Sequence, residues 1–454
     1  MRTLPRPSSG RHLRYALPLA LLLATSCATW DAENDGDSDQ QSGSPATTSP
    51  PAEGTDADPG QQEDNQETTE DTPEESGDVE FTIVSTGDVL PHDNVIDAAA
   101  ELAGDPEGSQ GYEFRPLLAE VEEWVSGADL ALCSMEVPLT PPGVEPEGYP
   151  TFGAPEELVP ALSETGFHGC NTANNHSMDR DIAGLEHTME MFEDQGMGHV
   201  GTARSEQEAQ AAQFYTLERA DREITVAHLS TTMLHNHAYP IPDDESWRVT
   251  DLSAEELTEA AAEARQQGAD VVVASVHWGT EYVDEPTAQQ REYGEQLAAG
   301  GEIDAVYGNH SHTPQPIEEL EGGPAGEGMW VVWSMGNFLH NQDEHCCVPE
   351  AATGTLVYAQ VEAPEGEEPR VTGMDWSPVT VDRENQSRDD EEFYGIWPLS
   401  PLREEIPDGV VSLDEATVEE RWELVAGVMD PDHLRDQPPT PTGDDPEVHP
   451  RGDS

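Results

Sequence analysis

Ala305-Val306-Tyr307-Gly308-Asn309-His310-Ser311-His312 is an apolar run that breaks at a glycine and releases an asparagine and two histidines. Four other runs end in the same way. Residues 81–85 lead into Gly87-Asp88, 130–134 into Glu136, 168–172 into Asn174-Asn175-His176, and 271–276 into His277-Trp278-Gly279. Short runs rich in β-branched residues read as strands, and 224–229 and 329–333 add two more. Helical patterns lie between them at 181–195, 254–267 and 287–299. In the first, Ile182, Leu185, Met189 and Phe192 fall on one face and Gly196 ends it. Strands alternating with helices predict an α/β domain.

In open α/β sheets, ligands bind beyond the carboxyl ends of the strands. Five strand ends therefore deliver one Asp, one Glu, three Asn and four His to one rim. Carboxylates and imidazoles without a thiolate suit a hard-to-borderline divalent metal such as Mn, Zn, Fe or Mg. Each residue alone has an ordinary structural reading. A histidine after a strand is most often just hydrogen-bonded, and Asp88 after a glycine can cap a helix. The weight lies in the repetition, and in His310-x-His312, whose alternate residues would share a face of an extended segment.

After residue 353 the pattern changes to strand-like pieces at 355–361 and 371–374, without helices between them. The C-terminal stretch is acidic and proline-rich, interrupted by a helical pattern at 413–428. The expected organisation is a catalytic-type domain over 79–345, strands completing it over 346–400, and an acidic, partly helical tail over 401–454.

The N-terminus reads as an address. Arg2, Arg6, Arg11 and Arg14 precede an apolar run at 15–24, too short to span a bilayer. Leu23-Ala24-Thr25-Ser26-Cys27 resembles a bacterial lipobox, with Cys27 as the lipidated residue and 1–27 as the signal peptide. This predicts a lipid anchor at the extracellular face of the membrane; plain secretion is the alternative. Residues 28–78 read as a disordered acidic tether, with 16 acids and no base from Asp31 to Asp78.

The whole chain holds 94 acidic residues against 19 basic ones, all arginine, for a formal charge of -75. That excludes an ordinary nucleic-acid binder, which needs a basic stripe. The tether accounts for a minor part of the charge. An acidic, lysine-free, arginine-retaining composition looks halophilic, because molar salt screens the self-repulsion. A GC-rich genome would explain the missing lysine but not the acids.

Besides Cys27 there are four cysteines, Cys133, Cys170, Cys346 and Cys347. An even count in an exported protein suggests disulfides, with three possible pairings. Cys133 and Cys170 would pair if their strands are neighbours; the adjacent Cys346 and Cys347 would pair only with strain.

Six blocks carry a family resemblance: Gly87-Asp88-Val89-Leu90, Met135-Glu136-Val137-Pro138-Leu139, Ala173-Asn174-Asn175-His176-Ser177-Met178-Asp179, His277-Trp278-Gly279-Thr280-Glu281-Tyr282, Gly308-Asn309-His310-Ser311-His312 and Ser334-Met335-Gly336-Asn337-Phe338-Leu339. In this order they resemble the CapA family of capsule or poly-gamma-glutamate biosynthesis proteins, itself similar to calcineurin-like metallophosphoesterases. The resemblance implies an α/β metallophosphoesterase-like β-sandwich flanked by helices, holding one or two divalent ions. It implies Asp88 and His312 on a first metal, Asn175, His277 and His310 on a second, and Glu136 where related enzymes have a bridging Asp. His176 would face the leaving oxygen, making His176 and Asn175 the catalytic pair, with Glu281 and Asn337 on the rim. Two departures stand out. Leu90 occupies the place of a metal-binding His, for which His92 is a candidate substitute, and Asn309 replaces another His.

The leading expectation is a surface-anchored protein that hydrolyses, transfers or helps export an anionic polymer such as poly-gamma-glutamate, alongside membrane synthase subunits. The alternatives are a noncatalytic scaffold of a polymer synthase and a secreted phosphoesterase.

Overall fold

Alternation along single strands builds this fold. In the strand Val79–Thr86, Phe81 and Ile83 enter one apolar cluster while Val84 enters another. Leu130 and Leu132 part in the same way from Ala131 and Cys133, and Val271 and Val273 from Val272 and Ala274. Successive side chains on a strand point to opposite faces. A strand buried on both faces must therefore lie in a sheet covered on both sides, which is why these runs are continuously apolar.

The computed structural model describes residues 77–104, 111–236, 240–385 and 391–451. The signal peptide, Cys27 and the tether up to residue 76 lie outside the described residues. The strands in chain order are β1 (Val79–Thr86), β2 (Asp88–Val89), β3 (Leu130–Met135), β4 (Gly169–Asn171), β5 (Gly198–Val200), β6 (Gln213–Arg219), β7 (Arg222–Thr232) and β8 (Val271–His277). They continue with β9 (Ala305–Asn309), β10 (Pro314–Leu320), β11 (Met329–Met335), β12 (Asn337–Leu339), β13 (Thr353–Ala363), β14 (Arg370–Asn385), β15 (Glu391–Pro398) and β16 (Glu447–Val448).

They form two mixed sheets. One runs β12-β2-β3-β1-β13-β14-β15, with β4 and β5 continuing beside β3; the other runs β10-β11-β9-β8-β7-β6-β16. The β1–β3, β2–β3, β3–β4, β7–β8 and β8–β9 pairs are all parallel, so within each sheet their carboxyl ends share one edge. Phe81, Ile83, Leu130, Val226, Val273, Tyr307, Val357 and Trp376 fill the space between the sheets. Helices Asp93–Leu102 and Leu158–Thr165 cover one outer face, and Ala254–Gln266 and Ala288–Gly300 the other. Both helices of the second pair start with a reciprocal capping box, Ser253 with Glu256 and Thr287 with Gln290. This is the helix-flanked α/β sandwich the sequence predicts.

Several strands escape sequence reading. β10 begins Pro314-Gln315-Pro316, a pattern tolerated because β10 is an edge strand. β14 runs from Arg370 to Asn385, far past the expected 371–374. The acidic C-terminal stretch runs back over the body. Leu399, Leu402, Leu413 and Val418 form a small core, Val425 and Met429 enter the inter-sheet core, and β16 pairs with β6. No helix among the described residues is long and apolar enough to cross a membrane.

Candidate metal centre

Two glycines let the site's backbone close up. Gly87 packs against the Gly336 carbonyl and Gly308 against that of Trp333, and neither place has room for a Cβ. The close approach lets the Asp88 amide donate to Gly336 O at 2.9 Å. Asp88 and Asn337 thereby become partners across the parallel β2–β12 pair.

The parallel strand ends bring Asp88, Glu136, Asn175, His277, His310 and His312 together. Nε2 of His277 lies 2.8 Å from Oδ1 of Asn175 and 3.6 Å from Oε1 of Glu136. Nε2 of His312 lies 3.8 Å from the same Glu136 oxygen. The His277 and His310 rings stand 4.8 Å apart between centroids. One ligand atom each from Glu136, His310 and His312 fall within 4.8 Å of one another.

Asp88 lies behind this trio. Its Oδ2 accepts from Nδ1 of His312 at 3.3 Å and from the His310 amide at 3.3 Å, while Oδ1 accepts from Ser134 at 3.3 Å. Asn337 Oδ1 sits 3.0 Å from the same His312 nitrogen. Asp88 and Asn337 thus fix the tautomer and pose of His312, as partners behind metal-binding histidines do.

One expectation needs correcting. His310 and His312 do not converge by strand alternation, because β9 ends at Asn309. Both residues adopt left-handed backbone, with φ of 97° and 56°. Such conformations are costly outside glycine and concentrate at functional sites.

The electrostatics call for a cation. Both carboxylate oxygens of Glu136 are buried and lack a hydrogen-bond partner. Burial, reinforced by the neighbouring Asp88, holds the Glu136 carboxyl well above the usual carboxylate range. Burial presses His277 well below its ordinary value and His310 down to about 3. Burial also opposes charge on His312, but Glu136 and Asp88 together carry it up to about 9. Among the described residues no arginine pairs with Asp88 or Glu136. Orphaned Glu136 oxygens beside the neutral imidazoles of His277 and His310 fit a divalent ion, which would be held by Glu136, His310 and, in place of its proton, His312, with His277 and Asn175 adjoining.

His176 stands beside this group rather than in it. Its Nδ1 lies 2.7 Å from Oδ2 of Asp179 and 3.1 Å from Nδ2 of Asn236. Asn174 shapes the turn: its Oδ1 accepts the His176 amide and its Nδ2 donates to Met135 O. Sequence reading assigned Asp179 no role, although its spacing of three from His176 was visible. Phe152, packed edge-on to His176 at 4.8 Å, had no local signal at all.

His312 and Asn175, at the edge of the centre, line a cleft of about 1180 Å³, whose walls also include His92, His176, Glu281, Tyr282 and Arg383. Glu281 is exposed on the rim, and its charge adds to that around Glu136. Cys133 and Cys170, opposite each other on β3 and β4, are disulfide-bonded. Cys346 and Cys347 are bonded to each other on the cleft wall, the pairing thought unfavourable from sequence.

The profile of the family described as "Bacterial capsule synthesis protein PGA_cap" matches residues 82–342. The chain belongs to that family. Over 187 residues it is 29% identical to the PGA biosynthesis protein CapA of Bacillus subtilis (strain 168), covering 41% of this chain and 46% of that protein. It is 27% identical over 194 residues to the capsule biosynthesis protein CapA of Bacillus anthracis, covering 42% and 44%. These alignments span about half the length of the curated relatives. Among solved structures, the chain is similar to a calcineurin-like phosphoesterase from Bacillus subtilis, with a TM-score of 0.39 and 14% identity, covering 77% of this chain and 97% of that one. The PGA_cap span holds every proposed ligand, whereas Arg383 and the Cys346–Cys347 bridge lie beyond it.

Proposed function

We propose that this PGA_cap protein is a metal-dependent hydrolase or transferase acting on an anionic capsular polymer such as poly-gamma-glutamate. It works at the extracellular face of the cell membrane, tethered through Cys27 and alongside synthase subunits. The observation that carries this reading is the buried, unsatisfied Glu136 carboxylate ringed by His277, His310 and His312, beside a substrate-sized cleft that His312 lines. The relatives' names supply the polymer.

When bound, a divalent ion supplies Lewis acidity toward a substrate oxygen and a nucleophile at neutral pH. The chain's residues do the rest. Asp179 holds the His176 ring by Nδ1, so that Nε2 is the atom left to pass a proton to the departing group. Asp88 and Asn337 keep His312 from rotating. Tyr282, with its ring 5.9 Å from His312, covers one side of the centre.

Elemental analysis of the purified protein, joined to a panel of gamma-glutamyl amides and phosphodiesters, tests the reading. We expect about one or two equivalents of divalent metal and turnover of the amides. His310→Ala should lose most of the metal. Turnover of phosphodiesters alone would make the protein a phosphoesterase. Stoichiometric metal without any turnover would favour the scaffold, a reading to which Leu90 at the place of a ligand histidine lends support.

A further inference from the structure

His92 occupies the N-cap position of the helix Asp93–Leu102, yet its side chain does not cap that helix. The ring turns back instead, and Nδ1 lies 2.8 Å from the Leu90 carbonyl oxygen. A carbonyl only accepts, so Nδ1 carries the hydrogen and Nε2 carries the lone pair. Burial pulls the imidazole down to about 3, against the opposing effect of the Leu90 carbonyl, so the ring is neutral at any working pH. Phe152 packs edge-on to His92 at 5.1 Å and to His176 at 4.8 Å, so both imidazoles brace one aromatic ring and both line the cleft.

Nε2 of His92 has no hydrogen-bond partner among the described residues. His92 also stands outside the Glu136–His310–His312 trio, so it does not replace the ligand missing at Leu90. Next to it on the same wall are Asp93 and Asp97, again acceptors. Asn94 and Arg383 line the cleft as well, so it is the lone pair of Nε2 itself that selects a hydrogen-bond donor.

We propose that His92 is a substrate-positioning residue whose Nε2 accepts the N–H of a gamma-glutamyl amide lying in the cleft. The proposal rests on the reading of this cleft as the binding place of a gamma-glutamyl polymer. A donor held there places the chain beside His176 without adding a charge. Because Nε2 never donates, the contact discriminates an amide from an ester of identical shape.

The test uses the metal-loaded full chain and two probes: a gamma-linked glutamate tetramer and its analogue with ester oxygens in place of the amide N–H groups. Calorimetry gives Kd, and steady-state rates give KM and kcat. Wild type should bind the amide about tenfold more tightly than the ester, the size expected for one buried hydrogen bond. His92→Phe should bind both equally, with KM for the amide raised and kcat changed much less. His92→Gln, which keeps an acceptor, should restore most of the preference. Equal affinity of wild type for amide and ester overturns the proposal without requiring any variant to fold, as does failure of wild type to bind the tetramer. A preference that survives in His92→Phe overturns it too. Tight, amide-selective binding with no turnover sinks the hydrolase reading but upholds the role of His92.

Discussion

Nδ1 of His176 stands 2.7 Å from Oδ2 of Asp179, and the same oxygen accepts the Phe152 amide at 2.8 Å. One buried carboxylate thus sets the imidazole and the loop that packs on it. If His176 moves a proton, His176→Ala should lower kcat by about 10²–10⁴-fold. Metal content should stay unchanged. Asp179→Asn should lower kcat less and leave KM nearly intact. Rates and metal content measured on both variants check this; loss of metal from His176→Ala would place His176 among the ligands instead.

A second prediction concerns acid. His228 is buried in β7, with Nε2 2.8 Å from the Ser275 hydroxyl, and burial lowers its pKa to about 3. The folded state keeps the ring neutral, whereas the unfolded chain protonates it near 6.5. The stability this provides is present above pH 6.5 and is lost as the pH falls toward 3, at roughly 1.4 kcal/mol per pH unit within that window. His228→Gln should therefore flatten the dependence of unfolding free energy on pH between 6 and 4 by about one proton. Denaturant titrations across that range read it directly, and parallel profiles for variant and wild type would refute it.

Salt should stabilise the folded body steeply. Among the described residues the arginines are largely committed to close ion pairs, such as Arg219 with the buried Asp129 and Arg265 with the buried Asp304, both under 3 Å. With 94 acids against 19 arginines, most acids have no partner of opposite sign, and the chain carries a formal charge of -75. At ~1 M salt the Debye length falls to ~3 Å and their repulsion is screened. Melting temperatures should climb from low to molar salt, and a flat series would remove the support for a halophilic protein.

Cys27→Ala should release the protein to the medium or leave its leader uncleaved, because the arginine-rich start, apolar run and small residues end at that cysteine. Fractionation of cells expressing wild type and variant, with mass measurement of the N-terminus, decides it. Unchanged membrane retention and processing would rule out the lipid anchor.

The sequence by itself determined the layered α/β fold and the chemical inventory of the rim. Both are local. Runs such as 271–276 and 305–307 are apolar throughout because strands covered on both faces have no solvated side, and each polar residue falls where its own strand stops. Edge strand β10 was illegible for the converse reason, since two prolines are tolerated only where one edge lacks a ladder. Tertiary structure alone decided what those polar residues do. Asp88 and Glu136 look alike in sequence, but one accepts hydrogen bonds from Ser134, His310 and His312 while the other keeps two buried oxygens without a partner. His92, Phe152 and Arg383 join the cleft from segments far apart in the chain. A side chain's charge state, tautomer and partners depend on burial and on neighbours brought from elsewhere in the chain, and no local pattern encodes those.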